Sequence, residues 1–179
     1  YHKSIDLFAT AEAHTFLGWA LSLKGLYDQA IDECRKAIDL DPDFGNPYND
    51  IGSYLIEKGK YDEAVPWLEK ATEAKRYDSY FYPHYNLGRV WEKKGEWFRA
   101  AGSYKAALNS NPDYTLARKA YNRLLALMNW LTTEVGSQRS EVGTEKLVFS
   151  DFLPPTSYLD FVELVNASAT LRNFSYVYP

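Results

Sequence analysis

Residues 14–21 read HTFLGWAL, residues 48–55 read YNDIGSYL and residues 84–91 read HYNLGRVW, so a glycine occupies the same place in three octets. The steps between these glycines are 34 and then 36 residues, and a period in the thirties is typical of a solenoid of stacked units. In each octet the first, fourth, fifth and eighth residues share one helical face. Each octet therefore predicts a helix with a buried stripe.

A second helix is predicted after a short turn in each unit, KGLY at 24–27, KGKY at 58–61 and KGEW at 94–97. Glycine just past a helix end is a common C-terminal stop. The second helices place alanines at a fixed spacing, at Ala30, Ala37, Ala64, Ala71, Ala100 and Ala107. Glycine inside a helix costs about 1 kcal/mol relative to alanine, so three at one register predict close approach of a neighbouring helix.

This pattern resembles the tetratricopeptide repeat, a helix–turn–helix unit of 34 residues. The matching residues are Leu17, Gly18, Ala30, Ala37 and Pro42 in the first unit, Ile51, Gly52, Tyr61, Ala64 and Ala71 in the second, and Leu87, Gly88, Ala100, Ala107 and Pro112 in the third. The resemblance covers residues 1–130. It implies an all-α, right-handed superhelix with repeats at about 11–44, 45–80 and 81–114, a leading half repeat and a cap helix at 113–130.

The sequence departs from the family pattern at a few positions. His14 and His84 stand where the family often has tryptophan, and Lys75-Arg76 replaces the closing proline of the second unit. The two extra residues of the 36-residue step predict either a longer connection over residues 76–81 or an extended helix.

Composition restricts the function classes. The chain has 179 residues, 46% of them hydrophobic, and a formal net charge of -4, which favours neither nucleic acid nor an anionic membrane as a partner. No run of 18 apolar residues indicates a transmembrane span. One cysteine excludes an internal disulfide, and together with the absence of a signal-peptide pattern it predicts a cytoplasmic protein.

The resemblance implies that the first helix of each unit lines a concave groove. The residues predicted to line it are Phe16, Trp19, Leu23, Asn46, Asn49, Tyr82, Tyr85, Asn86, Arg89, Lys119 and Arg123, with Thr15 and Ile56 on the same wall. Asparagine amides there suit an extended peptide backbone, and aromatic and arginine side chains are common interface anchors. The alternative is that Trp19 and Tyr85 only pack against adjacent helices. Family members that grip the C-terminal carboxylate of chaperones have lysine and asparagine where this chain has Thr15 and Trp19, so that partner is disfavoured.

After residue 130 the repeat pattern ends. Residues 131–146 predict a flexible linker, and residues 147–179 an acidic, aromatic tail with a short helix at about 156–170. One hypothesis is that the tail docks on the array, its own or a neighbour's, through Phe149, Phe152, Tyr158, Phe161, Val162 and Val165. Others are that it covers the flank of the cap helix, or that the glycine-containing linker is an engineered join to a partner peptide.

The sequence shows no pattern of catalysis. Its three histidines are dispersed, Cys34 falls on the inward stripe of a second helix, and no phosphate-binding loop is complete. We therefore expect no catalytic residue, metal or cofactor. The predicted function is a protein-interaction adaptor or scaffold that holds a peptide or protein segment in the groove. The alternatives are a self-associating unit whose tail occupies a groove, and the regulatory or docking domain of a larger enzyme.

Overall fold

The computed structural model describes residues 9–141, with side chains described as far as residue 129. The helices of this part are α1 (Ala11–Ser22), α2 (Tyr27–Leu40), α3 (Gly45–Glu57), α4 (Tyr61–Glu73), α5 (Phe81–Lys93), α6 (Trp97–Ser110) and α7 (Thr115–Glu141). The described residues contain no strand, only one isolated parallel bridge between Phe44 and Arg76. The prediction of an all-α helical-repeat fold is confirmed.

Helical hairpins are the building units of the fold. α1 packs on α2, α3 on α4 and α5 on α6, and each second helix also contacts the first helix of the next hairpin. The first helices touch one another as well, α1 with α3 and α3 with α5. Because of this second set of contacts, α1, α3 and α5 form one continuous layer.

Each turn inside a hairpin is made by a glycine with positive φ, at 74°, 74° and 77° for Gly25, Gly59 and Gly95. This left-handed conformation is open to glycine at little cost. It lets the following residue reach back to the helix, as when the Lys60 N–H donates to the Leu55 carbonyl over 2.9 Å. The predicted C-terminal stops are therefore confirmed.

The glycines inside the first helices mark close helix contacts, as the sequence predicted. A Cβ added to Gly52 would lie 2.5 Å from Leu68 Cγ, and one added to Gly88 would lie 2.5 Å from Tyr104 Cδ1. At Gly18 the nearest atoms, Ala30 O and Cys34 Sγ, are 3.0 and 3.1 Å away. The first hairpin is therefore packed less tightly at this position than the other two.

The connection between α4 and α5 spans residues 74–80, whereas residues 41–44 and 111–114 suffice for the equivalent connections. Of the two alternatives that the 36-residue step left open, the structure has the longer connection, at residues 74–80. Arg76 anchors it, because the guanidinium donates to Glu12 (2.7 Å), pairs with Asp41 (2.6 Å) and stacks 4.1 Å from the Phe44 ring centroid. The basic residue at the place of the missing proline thus joins the connections on either side of the second hairpin.

The last helix is longer than the cap helix predicted at 113–130. It runs from Thr115 to Glu141, so residues 131–141, predicted as part of a flexible linker, are helical. No proline interrupts this stretch, and extending a formed helix is much easier than nucleating one, so Gly136 does not end it. The leading half repeat before Ala9 and the tail at 147–179 lie outside the described residues.

Candidate functional site

The candidate site is the exposed face of the layer formed by α1, α3 and α5. Aligning the hairpins by their helix glycines places Trp19, Ser53 and Arg89 at equivalent positions, one residue after each glycine. Arg89 on α5 reaches Glu57 on α3, which shows that this position faces along the layer. We call this face the groove.

The α1 side of the groove is apolar and open. Trp19 is 50% exposed, Leu23 is 69% exposed and Phe16 is also exposed. These residues point away from the hairpin contact because Leu17 and Gly18 occupy the buried stripe. Thr15 was expected to face the groove, but it is buried, and its hydroxyl donates to the Ala11 carbonyl over 2.7 Å.

A chain of side-chain hydrogen bonds forms the floor of the groove between α5 and α3. Arg89 Nη1 donates to Asn86 Oδ1 (3.2 Å), Asn86 Nδ2 donates to Asn49 Oδ1 (3.0 Å), and Asn49 Nδ2 donates to Asp50 Oδ1 (3.4 Å). We call these four residues the amide relay. Every bond runs in the same direction, from a guanidinium to a carboxylate, so each amide is polarised by its neighbours.

The burial of Asn49 and Asn86 revises their predicted role. Both side chains are buried, that of Asn86 to 6% exposure. The side-chain oxygen of each already accepts a hydrogen bond within the relay. They shape the floor of the groove instead of standing open to a peptide backbone. Asn46, by contrast, is exposed on the first turn of α3, and Ile56, expected on the wall, is buried.

Asp50 is a groove residue that the sequence analysis missed. It lies at the acceptor end of the amide relay, and burial raises the pKa of its carboxyl from 3.8 to about 7. A signal was available, since two residues before the helix glycine the other hairpins have Phe16 and Asn86, so Asp50 is the one ionisable residue of the three.

Two of the three basic residues predicted to line the groove, Arg89 and Arg123, are paired with glutamates. Arg89 Nη2 bonds Glu57 Oε1 at 2.7 Å, and Arg123 Nη2 bonds Glu92 Oε1 at 2.6 Å. Glu92 also accepts from the Tyr104 hydroxyl at 2.8 Å. The groove therefore presents fewer free cations than its composition indicates, although Lys119 is exposed on α7.

Aromatic rings cluster where α5 begins. Tyr114, in the connection before α7, lies 4.8 Å from Phe81, 5.6 Å from Tyr82 and 5.2 Å from Tyr85, measured between ring centroids. Tyr85 also lies 5.6 Å from the Tyr104 ring. Tyr85 therefore packs between rings, which is the alternative that the sequence analysis left open for it, while Tyr82 stays exposed at the rim.

Outside the groove, the described residues show no further candidate site. Cys34 is fully buried as predicted, and burial raises the pKa of its thiol well above the ordinary range. Within residues 9–141 no group of three histidine, cysteine or carboxylate side chains is placed to hold a metal. No helix in the described part is long and apolar enough to cross a membrane. The six residues of the tail-docking hypothesis lie outside the described part.

Together, the stacked hairpins and the groove define a solenoid of helical hairpins. The tetratricopeptide-repeat profile matches residues 11–44, and a second profile of the same repeat matches residues 33–65. Solved tetratricopeptide-repeat domains share the fold, among them the first such domain of Spaghetti (RPAP3) bound to the HSP90 peptide SRMEEVD. That domain has 20% identity and a TM-score of 0.61, over 66% of this chain and 93% of that one. Residues 11–65 of the chain thus match the tetratricopeptide repeat, and the described part has the fold of a tetratricopeptide-repeat domain.

The chain is also similar to three other proteins. The N-terminal domain of stress-induced protein-1 from C. elegans matches with 25% identity and a TM-score of 0.56, over 64% of this chain and 93% of that one. Small glutamine-rich tetratricopeptide repeat-containing protein 2 of Mycosarcoma maydis is 41% identical over 74 residues, which are 41% of this chain and 21% of that protein. Bovine DnaJ homolog subfamily C member 3 is 27% identical over 92% of this chain and 31% of its own length. The chain thus spans a third or less of these two relatives.

Proposed function

We propose that this protein is an adaptor, a binding module instead of an enzyme, that holds an extended segment of another protein in the groove. The observation that carries the proposal is the open apolar side of α1, where Trp19 and Leu23 project from a layer whose floor is polar and ordered. Aromatic anchors beside satisfied polar groups are the usual composition of an interface.

The groove chemistry argues against an acidic C-terminal tail as the partner. The structural relative from Spaghetti is bound to the peptide SRMEEVD, which ends in acidic and carboxylate groups. In this chain Thr15 is buried at one place of the family's carboxylate clamp, and Trp19 occupies another. Arg89 and Arg123 are already paired with glutamates, and Asp50 adds an acidic side chain to the floor, where no cation of the described residues is paired with it. We propose a partner segment of different chemistry, with apolar residues for the α1 side.

The 179-residue chain offers a matched pair of variants for a test. Trp19 on α1 and Phe98 on α6 are 50% and 49% exposed, so truncating either removes a similar aromatic surface from water. Peptides would be selected from a random display library on the wild-type protein and their affinities measured by calorimetry. Trp19→Ala should weaken binding at least fivefold, in line with an interface anchor worth 1 kcal/mol or more.

Phe98→Ala is the control, because Phe98 lies on a second helix and outside the groove. Its affinity for the selected peptides should match that of the wild type, and both variants should keep the wild-type melting temperature. Equal affinity of the Trp19→Ala and wild-type proteins for every selected peptide would contradict binding in this groove.

A further inference from the structure

Asp50 ends the amide relay with unused hydrogen-bonding capacity. Within the described part of the chain, its carboxylate accepts one side-chain hydrogen bond, of 3.4 Å, from Asn49. An ionised carboxylate offers about four acceptor sites, and a poorly paired charge away from water is costly. None of the ion pairs formed among the described residues includes Asp50, which sets it apart from Glu57 and Glu92 in the same groove.

Among the described residues, no cation contributes to the pKa of Asp50, which depends on burial and on Asn49. Ionisable side chains that interact with it electrostatically include Cys34 from α2, Tyr54 from α3 and Tyr77 from the connection before α5. Each of these is neutral when protonated and can only become negative. The nearest cation along the relay is Arg89, which is separated from Asp50 by two amides and is paired with Glu57.

We propose that Asp50 is a cation-binding subsite of the groove, which takes a lysine or arginine side chain from the bound protein segment. This inference rests on the proposed function, because it assumes that the groove holds such a segment. α3 contacts both α1 and α5 in the layer, and each of these neighbouring helices has an exposed ring, Trp19 on α1 and Tyr82 on α5. We therefore expect the segment to have apolar residues as well as its cation.

The cost of Asp50 to the fold supports a binding role. Burial holds its pKa near 7, which means that the folded protein disfavours the ionised form. Asparagine has nearly the same shape and could accept the same bond from Asn49 without a charge. A residue that lowers stability where a neutral one would fit is typical of a functional site. An incoming ammonium or guanidinium group would supply the missing counter-charge.

The test uses a random dodecapeptide display library selected at pH 8 on the wild-type 179-residue chain, on Asp50→Asn and on Glu69→Gln. The last variant removes one negative charge from the exposed surface of α4 and serves as the control. We expect wild type and Glu69→Gln to enrich lysine or arginine at one fixed position between apolar residues. Asp50→Asn should lose that enrichment while still selecting the apolar positions.

Calorimetry on a selected lysine peptide measures the effect. Replacing the lysine by norleucine should weaken binding to wild type at least tenfold and leave binding to Asp50→Asn nearly unchanged, which isolates the pairwise interaction. Lowering the pH from 8 to 5.5 should weaken wild-type binding about tenfold or more, because the carboxyl becomes protonated.

The failures of the two proposals are distinguishable. Apolar peptides that bind equally well to wild type and Asp50→Asn, with no enriched basic position, would overturn the subsite and leave the groove proposal standing. The same norleucine effect in Asp50→Asn as in wild type would also overturn it. If wild type selects no peptide more strongly than Trp19→Ala does, both proposals fall.

Discussion

On α1 the residue after the helix glycine is Trp19, half of whose surface is open to solvent, whereas on α5 it is Arg89, whose guanidinium bonds Asn86 and Glu57. The same position of the repeat is thus an exposed indole at one side of the groove and a hydrogen-bonded link between α5 and α3 at the other. The same contrast holds for the ring contacts, since Tyr85 packs between Tyr104 and Tyr114.

This difference indicates that the first and third hairpins contribute differently to stability and to binding. In the third hairpin the polar and aromatic side chains of α5 contact α3, α6 and the connection before α7. These contacts order the floor of the groove. The first hairpin leaves apolar surface exposed, and such surface gains most from association with a partner. Substitutions on α5 are therefore expected to change stability, and substitutions on α1 to change binding.

The largest expected effect is at the helix glycines. Gly88→Ala places a methyl group 2.5 Å from Tyr104 Cδ1, and Tyr104 is almost fully buried, so its ring cannot move aside. We expect the variant to lose about 3 kcal/mol of unfolding free energy, at the upper end for overpacking. Gly18→Ala should lose about 1 kcal/mol, because its nearest neighbours are 3.0 and 3.1 Å away.

Urea unfolding followed by circular dichroism measures both changes. Gly102→Ala is the matched control, since the added methyl group meets nothing within 4 Å and alanine is the better helix former. A Gly18→Ala variant that loses as much stability as Gly88→Ala would show that the two hairpins are equally tight and would break the comparison.

The second-largest expected effect is a pH dependence of the unfolding free energy that is due to Asp50. Its folded pKa of about 7 lies above the ordinary 3.8, so the folded state binds the proton more tightly than the unfolded state. The contribution of this carboxyl to stability is therefore full below about pH 4 and declines as the pH rises to about 7. A shift of this size corresponds to about 4 kcal/mol, and partial exposure to water should reduce it to about 2 kcal/mol.

Asp50→Asn cannot ionise, so it should be more stable than wild type by about 2 kcal/mol at pH 8 and equally stable at pH 4. Thermal or urea unfolding at both pH values provides the comparison. Asp41→Asn is a useful contrast, because Asp41 is paired with Arg76 and its removal should not stabilise the protein at pH 8. A constant gap between Asp50→Asn and wild type from pH 4 to pH 8 would contradict the assigned titration.

Much of the fold could be predicted because the packing of each repeat depends on residues that lie close together in the sequence. The spacing around Gly18, Gly52 and Gly88 predicted the helices, the turns and the close approach of the second helices. The two extra residues predicted either a longer connection before α5 or an extended helix, and the structure has the former. Each of these features depends on residues within one unit or on the step between units, so a single sequence contains the information.

The polar contacts of the groove were harder to predict because they join different units. Arg89 pairs with Glu57 across 32 residues and Arg123 with Glu92 across 31. Whether such side chains meet depends on how one hairpin is displaced against the next, which local periodicity does not fix. A signal does exist in hindsight, since oppositely charged residues recur at nearly one repeat length, as in Lys94 and Asp62.

The smallest effect separates the two sides of the groove most directly. Tyr85→Ala removes ring contacts to Tyr104 and Tyr114 at 5.6 and 5.2 Å, and aromatic pairs are worth about 0.5–1.5 kcal/mol each beyond burial. We expect a loss of about 1.5 kcal/mol of unfolding free energy. Trp19→Ala should change stability by less than about 0.5 kcal/mol, as is usual for an exposed side chain.

Differential scanning calorimetry of both variants, beside affinity for one selected peptide, gives the decisive pattern. Tyr85→Ala should lower the melting temperature clearly and the peptide affinity only modestly. Trp19→Ala should weaken peptide binding at least fivefold and leave the melting temperature nearly unchanged. Should Trp19→Ala melt earlier than Tyr85→Ala, the indole would be part of the packing of α1, and the apolar side of the groove would have to be reassigned to Leu23 and Phe16. The two aromatic residues lie on opposite sides of one layer. The order of the two melting temperatures therefore distinguishes a surface at Trp19 that is free to bind a partner from one that packs within the fold.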